Sequence, residues 1–90
     1  MPAMLRITAT RNDSQTILKL EGKLLEPWIE ELRGAYTLAK SRSEQVVLNL
    51  ADLSYADEAG TRLLCNFVQR GVAIGECSAF VTELLRAPQP

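Results

Sequence analysis

Residues 46–60 constrain the fold more than any other part of the chain. The apolar run 46–50 has the length and composition of a strand buried in a parallel sheet. A loop over 51–56 is predicted to follow it, and Asp57 then precedes a helix that begins at Glu58. This order places two acidic side chains at a helix N-terminus, on the edge of a sheet where open α/β proteins bind their partners.

Periodicity along the chain predicts four strands and three helices. The predicted segments are strands at 4–10, 15–21, 45–50 and 72–76, helices at 26–40, 58–70 and 79–86, a turn at 12–14 and a tail at 87–90. Gly22 is expected to end the N-terminal hairpin. The order β-β-α-β-α-β-α predicts one small α/β domain over residues 1–90, with a mixed sheet of about four strands and helices packed on it.

Apolar spacing also predicts which side of each helix faces the core. The expected inner positions are Trp28, Leu32, Ala35, Tyr36 and Ala39 in the first helix, Leu63, Leu64, Phe67 and Val68 in the second, and Phe80, Val81, Leu84 and Leu85 in the third. Gly71 is expected to end the second helix, and Ser78 to cap the third. Trp28 is interpreted as a core residue rather than a binding residue, because it lies on the apolar stripe.

Composition excludes several classes of function. The chain has ten basic and eleven acidic residues, so no basic patch for nucleic acid is predicted. It contains no histidine, which removes Ser-His and Cys-His nucleophiles and the usual imidazole metal ligand. Cys65 and Cys77 are expected to be core thiols rather than a disulfide or a metal site. No segment has the length of a membrane span or a signal peptide, so a cytoplasmic protein is expected.

The acidic pair at the predicted helix start has a sufficient structural explanation. Asp57 is expected to cap the helix by accepting a bond from a first-turn N–H. Glu58 would occupy the first helical position, where the helix dipole favours negative charge by about 0.3–1 kcal/mol. Gly60 early in a helix costs up to about 1 kcal/mol relative to Ala, which indicates a close approach of another segment.

The same stretch resembles the signature of STAS domains, the family of anti-sigma-factor antagonists. Asp57 and Gly60 match the first and last positions of the family's Asp-Ser-Ser/Thr-Gly motif, and further similar elements extend over residues 4–85 in the same order. In that family the Ser after the Asp is phosphorylated, and this controls docking on an anti-sigma kinase and hence the release of a sigma factor. Glu58 occupies that position here, so the family's phosphorylation switch is absent.

The resemblance implies a non-catalytic protein-binding module of bacterial signal transduction, acting by partner switching in transcription regulation. Its partner would be an anti-sigma factor, a serine kinase or another regulatory protein, with no cofactor and no metal. The implied partner-binding residues are Asp57, Glu58, Ala59, Gly60, Thr61 and Arg62. Phosphorylation rerouted to Thr61 is not expected, because first-turn N–H groups give its hydroxyl a local role.

Two other functions remain open at the level of sequence. Small STAS proteins resembling this one also serve as accessory subunits that bind the ATPase of lipid-type ABC transport systems. An enzyme is the third alternative, with Asp52, Asp57 and Glu58 as a carboxylate cluster that holds a divalent metal. The acidic helix start already accounts for these residues, so this alternative is the least favoured.

Overall fold

A computed structural model describes residues 5–42 and 45–86 as an α/β fold. The elements are β1 Leu5–Asn12, β2 Gln15–Leu24, a 3-10 turn Glu26–Trp28, α1 Ile29–Arg42, β3 Gln45–Ala56, α2 Glu58–Gln69, β4 Ala73–Cys77 and α3 Ala79–Arg86. The predicted order of strands and helices is confirmed. Met4 and the predicted tail at 87–90 lie outside the described residues.

The four strands form one mixed sheet in the order β1-β2-β3-β4. β1 pairs with β2 in antiparallel orientation, while β2 with β3 and β3 with β4 are parallel. The first pair is a hairpin whose last ladder partners are Asn12 and Gln15. Asp13 has a positive φ of 39° in this two-residue turn, a conformation that Asp tolerates better than most residues. The predicted mixed sheet is therefore confirmed.

The third strand is twice as long as predicted, because the predicted loop at 51–56 continues the strand. The strand contains two bulges, at each of which β3 has one residue more than β2 between consecutive ladder pairs. Asn49 Oδ1 accepts a bond from the amide of Ala51 (3.0 Å) at the first bulge. At the second bulge, Ser54 Oγ donates to the carbonyl of Gly22 (3.0 Å). These side-chain bonds hold the strand together where polar residues suggest a loop.

Among the described residues, Gly22 is the last residue of β2 that pairs with β1, as predicted for the end of the hairpin, but it does not end the strand. β2 continues to Leu24, and Gly22 lies inside it with a positive φ of 103° beside the second bulge of β3. Since side chains alternate along a strand, the two extra residues of β3 bring Leu53 and Ala56 back to the core face. Both are buried. The bulges therefore extend the apolar face to the carboxyl end of β3.

Helix boundaries differ from prediction by a few residues at most. Residues 26–28 form a 3-10 turn rather than the first turn of α1, which continues to Arg42. α2 ends at Gln69, and Gly71 follows with a positive φ of 82°, as expected for a terminating glycine. β4 begins and ends one residue later than predicted. α3 has the predicted bounds, and Ser78 Oγ accepts a bond from the amide of Val81 (3.2 Å).

The core lies between the sheet and the helices. Its largest fully buried side chains are Phe67, Leu18, Leu20, Leu24, Leu32, Leu48, Leu50, Leu53, Leu64 and Val81. Val68 is 44% exposed, so its predicted inner position is wrong: at the end of α2 it lies outside the stripe of Leu63, Leu64 and Phe67. Trp28 is half-buried against the core.

The two cysteines are free and half-buried, so the prediction that they are core thiols is correct only in part. Cys77 packs against the core, and burial raises the pKa of its thiol. Cys65 belongs to α2 but lies beside the buried stripe rather than within it. Neither position supports a disulfide framework. None of the helices in the described part of the chain has the length and hydropathy required to cross a membrane.

Candidate functional site

The carboxyl ends of β2 and β3 meet at the start of α2, and Asp57 joins them. Its amide donates to the carbonyl of Leu24 (3.1 Å), the last residue of β2. Its Oδ1 accepts a bond from the amide of Gly60 (2.8 Å), as predicted for a helix cap. Its Oδ2 accepts a second bond from the amide of Glu26 (2.8 Å), the first residue of the 3-10 turn. We call Asp57, Gly60, Leu24 and Glu26 the inner junction.

These bonds favour the charged form of the Asp57 carboxyl. The amide of Gly60 makes the largest contribution and the amide of Glu26 the next, and together they hold the pKa of Asp57 below its ordinary value. A carboxylate with both oxygens occupied by backbone amides stabilises local structure. Asp57 was predicted to belong to the partner-binding set, but its geometry assigns it first to the fold.

Gly60 is buried where α2 passes over the end of β2. A Cβ atom at this position would lie 2.5 Å from the carbonyl oxygen of Leu24 and 2.9 Å from its Cγ. No side chain fits at that distance from a backbone atom. The close approach that the sequence indicated is therefore confirmed, and the neighbouring segment is the end of a strand.

The other predicted residues of the set follow the turn of the helix outward. Glu58 points to solvent with 80% of its side chain exposed, and Arg62 is 77% exposed. The two form an ion pair across one turn of α2. Ala59 and Thr61 are half-buried, and the amide of Thr61 donates to the carbonyl of Asp57 (2.8 Å). Of the six predicted residues, Glu58 and Arg62 alone are well exposed.

Glu58 and Arg62 begin a row along α2 that continues with Asn66 and ends at Arg70, the C-cap residue of the helix. We call these four residues the outer stripe; they are spaced by four residues and are all exposed. The last three line one wall of a groove of about 560 Å³ between α1 and α2, and Arg33 and Thr37 of α1 line the other. The sequence interpretation missed Arg33 and Arg70. The four-residue spacing from Glu58 was the signal that could have identified Arg70.

A second groove, of about 1140 Å³, lies between β1 and α1. Its charged lining is mixed, with Arg6, Arg11 and Arg42 alongside Glu30 and Glu31. The predicted site residues do not line it. The groove between α1 and α2 is therefore the one that adjoins the predicted site.

The three carboxylates of the enzyme alternative each have a partner of their own. Asp52 pairs with Lys19 (3.3 Å), Asp57 binds two backbone amides, and Glu58 pairs with Arg62. Within residues 5–42 and 45–86, no group of three or more acidic or Cys side chains is arranged to hold a metal ion. This arrangement offers no position at which the three oxygens converge on a cation.

Several side chains near the predicted switch position also have structural roles. Ser54 Oγ donates to a strand carbonyl, and the ring of Tyr55 stacks on Phe80 with centroids 5.9 Å apart. Ser78 Oγ donates to the carbonyl of Leu53 (2.6 Å), which fixes the start of α3 beside β3. These contacts tie α3 to the same end of the sheet as α2.

Comparisons with known proteins give information on the fold. No protein-family model and no curated protein sequence matches the chain. Among solved structures, it is similar to the crystal structure of Mglu in its L-glutamate binding form in the presence of 4.3 M NaCl. The TM-score is 0.53 at 20% identity, and the match covers 93% of this chain but 28% of that chain. The likeness supports the α/β fold alone.

Proposed function

We propose that the chain is a non-catalytic, STAS-type protein-binding module of bacterial signal transduction. It is related to anti-sigma-factor antagonists, acts in the cytoplasm by partner switching and carries Glu58 in place of the phosphorylated Ser. The observation that carries the proposal is the contrast between adjacent acids. Asp57 is occupied by backbone amides, whereas Glu58 is exposed and contributes no contact to the core.

The exposed position of Glu58 suits a determinant of partner choice. Asp57 is held by backbone amides, whereas the carboxylate of Glu58 pairs with Arg62 in solvent. Glu58 instead presents a carboxylate at the rim of the sheet, on the first turn of a helix packed over two parallel strands. A phosphoserine there would carry a charge of about −1.5 to −2 and three acceptor oxygens. A glutamate supplies a permanent charge of about half that size.

The test is the binding of the wild type, E58S and the control E83S to proteins from the cells that make this chain. Glu83 is an exposed acid on α3, so E83S removes the same charge elsewhere on the surface. A captured anti-sigma kinase supports the proposal. Capture of an ABC ATPase would support the accessory-subunit alternative instead.

Affinity for the captured partner, measured by titration calorimetry, gives the decisive comparison. We expect E58S to change the Kd by at least about tenfold, equivalent to about 1.4 kcal/mol, because charges at interface centres are strongly context-dependent. E83S should leave the Kd unchanged. Equal affinity of wild type and E58S would move the binding surface away from this end of the sheet.

A further inference from the structure

We propose that the groove between α1 and α2 binds an acidic helical segment of the partner protein. The inference rests on the proposed function, because Glu58 begins the outer stripe whose last three residues line one wall of this groove. It adds the chemistry of the partner. Carboxylates of the segment pair with Arg33, Arg62 and Arg70, and its apolar residues contact the groove floor.

Charge is the first argument. Three arginines and no acidic residue line this groove among the residues the structure describes. Arg33 and Arg62 pair with Glu30 and Glu58, which lie outside the lining, so the groove itself presents guanidinium groups although the whole chain has a net charge of −1. The larger groove beside β1 has both signs in its lining and offers no such selectivity. An acidic ligand is the one that this lining complements.

The floor of the groove is apolar and aromatic. Ile29, Leu63 and Phe67 are buried beneath it, and the ring of Tyr36 lies 4.9 Å from that of Phe67. The guanidinium of Arg70 lies over the Tyr36 ring, 5.7 Å from its centroid. This contact restrains Arg70 at the groove without using its hydrogen-bond donors, which leaves them available to a carboxylate of the partner.

The spacing of the arginines matches a helix. Arg62 on α2 and Arg70 at its C-cap lie eight residues apart, about 12 Å along the axis at the rise of an α-helix. A docked helix with acids every four residues places its carboxylates about 6 Å apart along its own axis. Such a helix meets Arg62 and Arg70 on one wall and Arg33 on the other. The concave site between two helices fits a single segment better than a flat membrane surface.

Two of the arginines are already paired, and those pairs are easily exchanged. Arg62 pairs with Glu58 and Arg33 with Glu30 (3.6 Å), and all four side chains are more than half exposed. Exposed pairs of this kind contribute little stability, so a partner carboxylate can replace either acid. Glu58 therefore competes with the partner for Arg62. Removing its charge while keeping its shape, as in E58Q, should tighten binding.

The test is a titration of the 15N-labelled chain with two helical peptides, followed by NMR. One peptide has Leu on its inner face and Glu at four-residue intervals beside it, and the other has Gln in place of each Glu. We expect the acidic peptide alone to shift the signals of Arg33, Arg62 and Arg70. Its Kd should rise by about three- to tenfold between about 50 and 300 mM NaCl, because salt screens exposed charges.

Matched triple variants locate the binding. R33Q/R62Q/R70Q should abolish the shifts, while R6Q/R11Q/R42Q removes the same charge from the larger groove and should leave them unchanged. Dispersed spectra of both variants confirm folding. E58Q should lower the Kd of the acidic peptide by about two- to fivefold, the range of a single exposed pair.

Several outcomes would overturn the inference. These are equal binding of the Gln peptide, shifts confined to the β1–α1 groove, an unchanged Kd in R33Q/R62Q/R70Q, or the same shifts produced by inorganic phosphate or by vesicles of anionic lipid. An unchanged or higher Kd in E58Q would overturn the competition step. The proposed function is tested separately, because E58S against the captured partner requires no binding of this peptide.

Discussion

Two regions at the start of α2 each contain an acidic residue, but one region is part of the packed structure and the other is exposed to solvent. In the inner junction, Asp57 binds two backbone amides and Gly60 lies against the end of β2. In the outer stripe, Glu58 and Arg62 pair with each other in solvent. The two acids are adjacent in sequence, yet Asp57 joins β2, the 3-10 turn and α2, whereas Glu58 is exposed on the surface of the helix. A helix start separates these roles because successive residues point in different directions.

This difference indicates which residues can change partner binding without changing the fold. Substitutions in the inner junction disturb the contact between β2, the 3-10 turn and α2, and are therefore expected to lower the stability of the protein. Changes in the outer stripe affect the charge pattern of one groove. Stability and recognition are thus assigned to different residues within a single helical turn.

The largest loss of stability is expected from a substitution at Gly60. G60A adds a Cβ atom 2.5 Å from the Leu24 carbonyl oxygen, so the strand end or the helix must shift. We expect a loss of about 1–3 kcal/mol in the free energy of unfolding, as for overpacked cores. Chemical denaturation measures it.

The matched control is G34A in the middle of α1. A Cβ at Gly34 meets nothing within 4 Å, so alanine should stabilise the helix by about 0.5–1 kcal/mol. The two identical substitutions should therefore have opposite signs. If G60A is as stable as the wild type, the close approach of α2 to β2 is misplaced.

The next effect is expected at Asp57. D57A leaves the amides of Gly60 and Glu26 without their acceptor, whereas D57N keeps one carbonyl oxygen and loses the charge. We expect both variants to melt below the wild type, with D57A the lower, and both to lose less than G60A. Hydrogen exchange should accelerate at both amides in D57A. Unchanged protection of these amides would contradict the double role of Asp57.

The contribution of Asp57 should also depend on pH. Its folded-state pKa is lowered, so the folded form binds its proton more weakly than the unfolded chain does. The stabilisation is complete above the ordinary carboxyl pKa of about 3.9 and is lost as pH falls through the lower folded value. The difference in unfolding free energy between wild type and D57N should thus be constant from about pH 5 to 7 and shrink below about pH 4. Urea denaturation at several pH values tests this, and a difference that grows on acidification would contradict it.

The inner junction was more predictable from sequence than the outer stripe. Asp before a helix and Gly within its first turn are local signals, and both were interpreted correctly as a cap and a close approach. The acceptor role of Asp57 toward Glu26 was not predictable, because it joins residues 31 apart in sequence. The groove was not predictable for the same reason. Arg33 lies opposite Arg62 and Arg70 only because of the way α1 and α2 pack.

The long β3 strand shows a second limit of sequence patterns. Asp52, Ser54 and Asp57 suggest a loop, and a strand of alternating polarity cannot be recognised across two bulges. The extra residues break the period of two, so the buried positions 50, 53 and 56 follow a spacing of three. Such a strand is identified only once its ladder partners on β2 are known.

The smallest effect on stability is expected at Glu58. E58S removes the pair with Arg62 and a favourable charge near the helix dipole, but serine is itself well suited to a helix start. We expect the free energy of unfolding to change by less than about 1 kcal/mol. R62Q breaks the same pair from the other side and should have a similar small effect. Chemical denaturation of E58S, R62Q and the double variant measures the coupling between them.

The comparison between the two regions depends on this result. If the coupling is small while binding changes strongly, recognition resides in the outer stripe and the inner junction maintains the fold. If E58S instead destabilises the chain as much as D57A does, the two acids share one structural role. Glu58 would then be a second capping residue, and its position at the end of the sheet would lose its value as evidence for a binding surface.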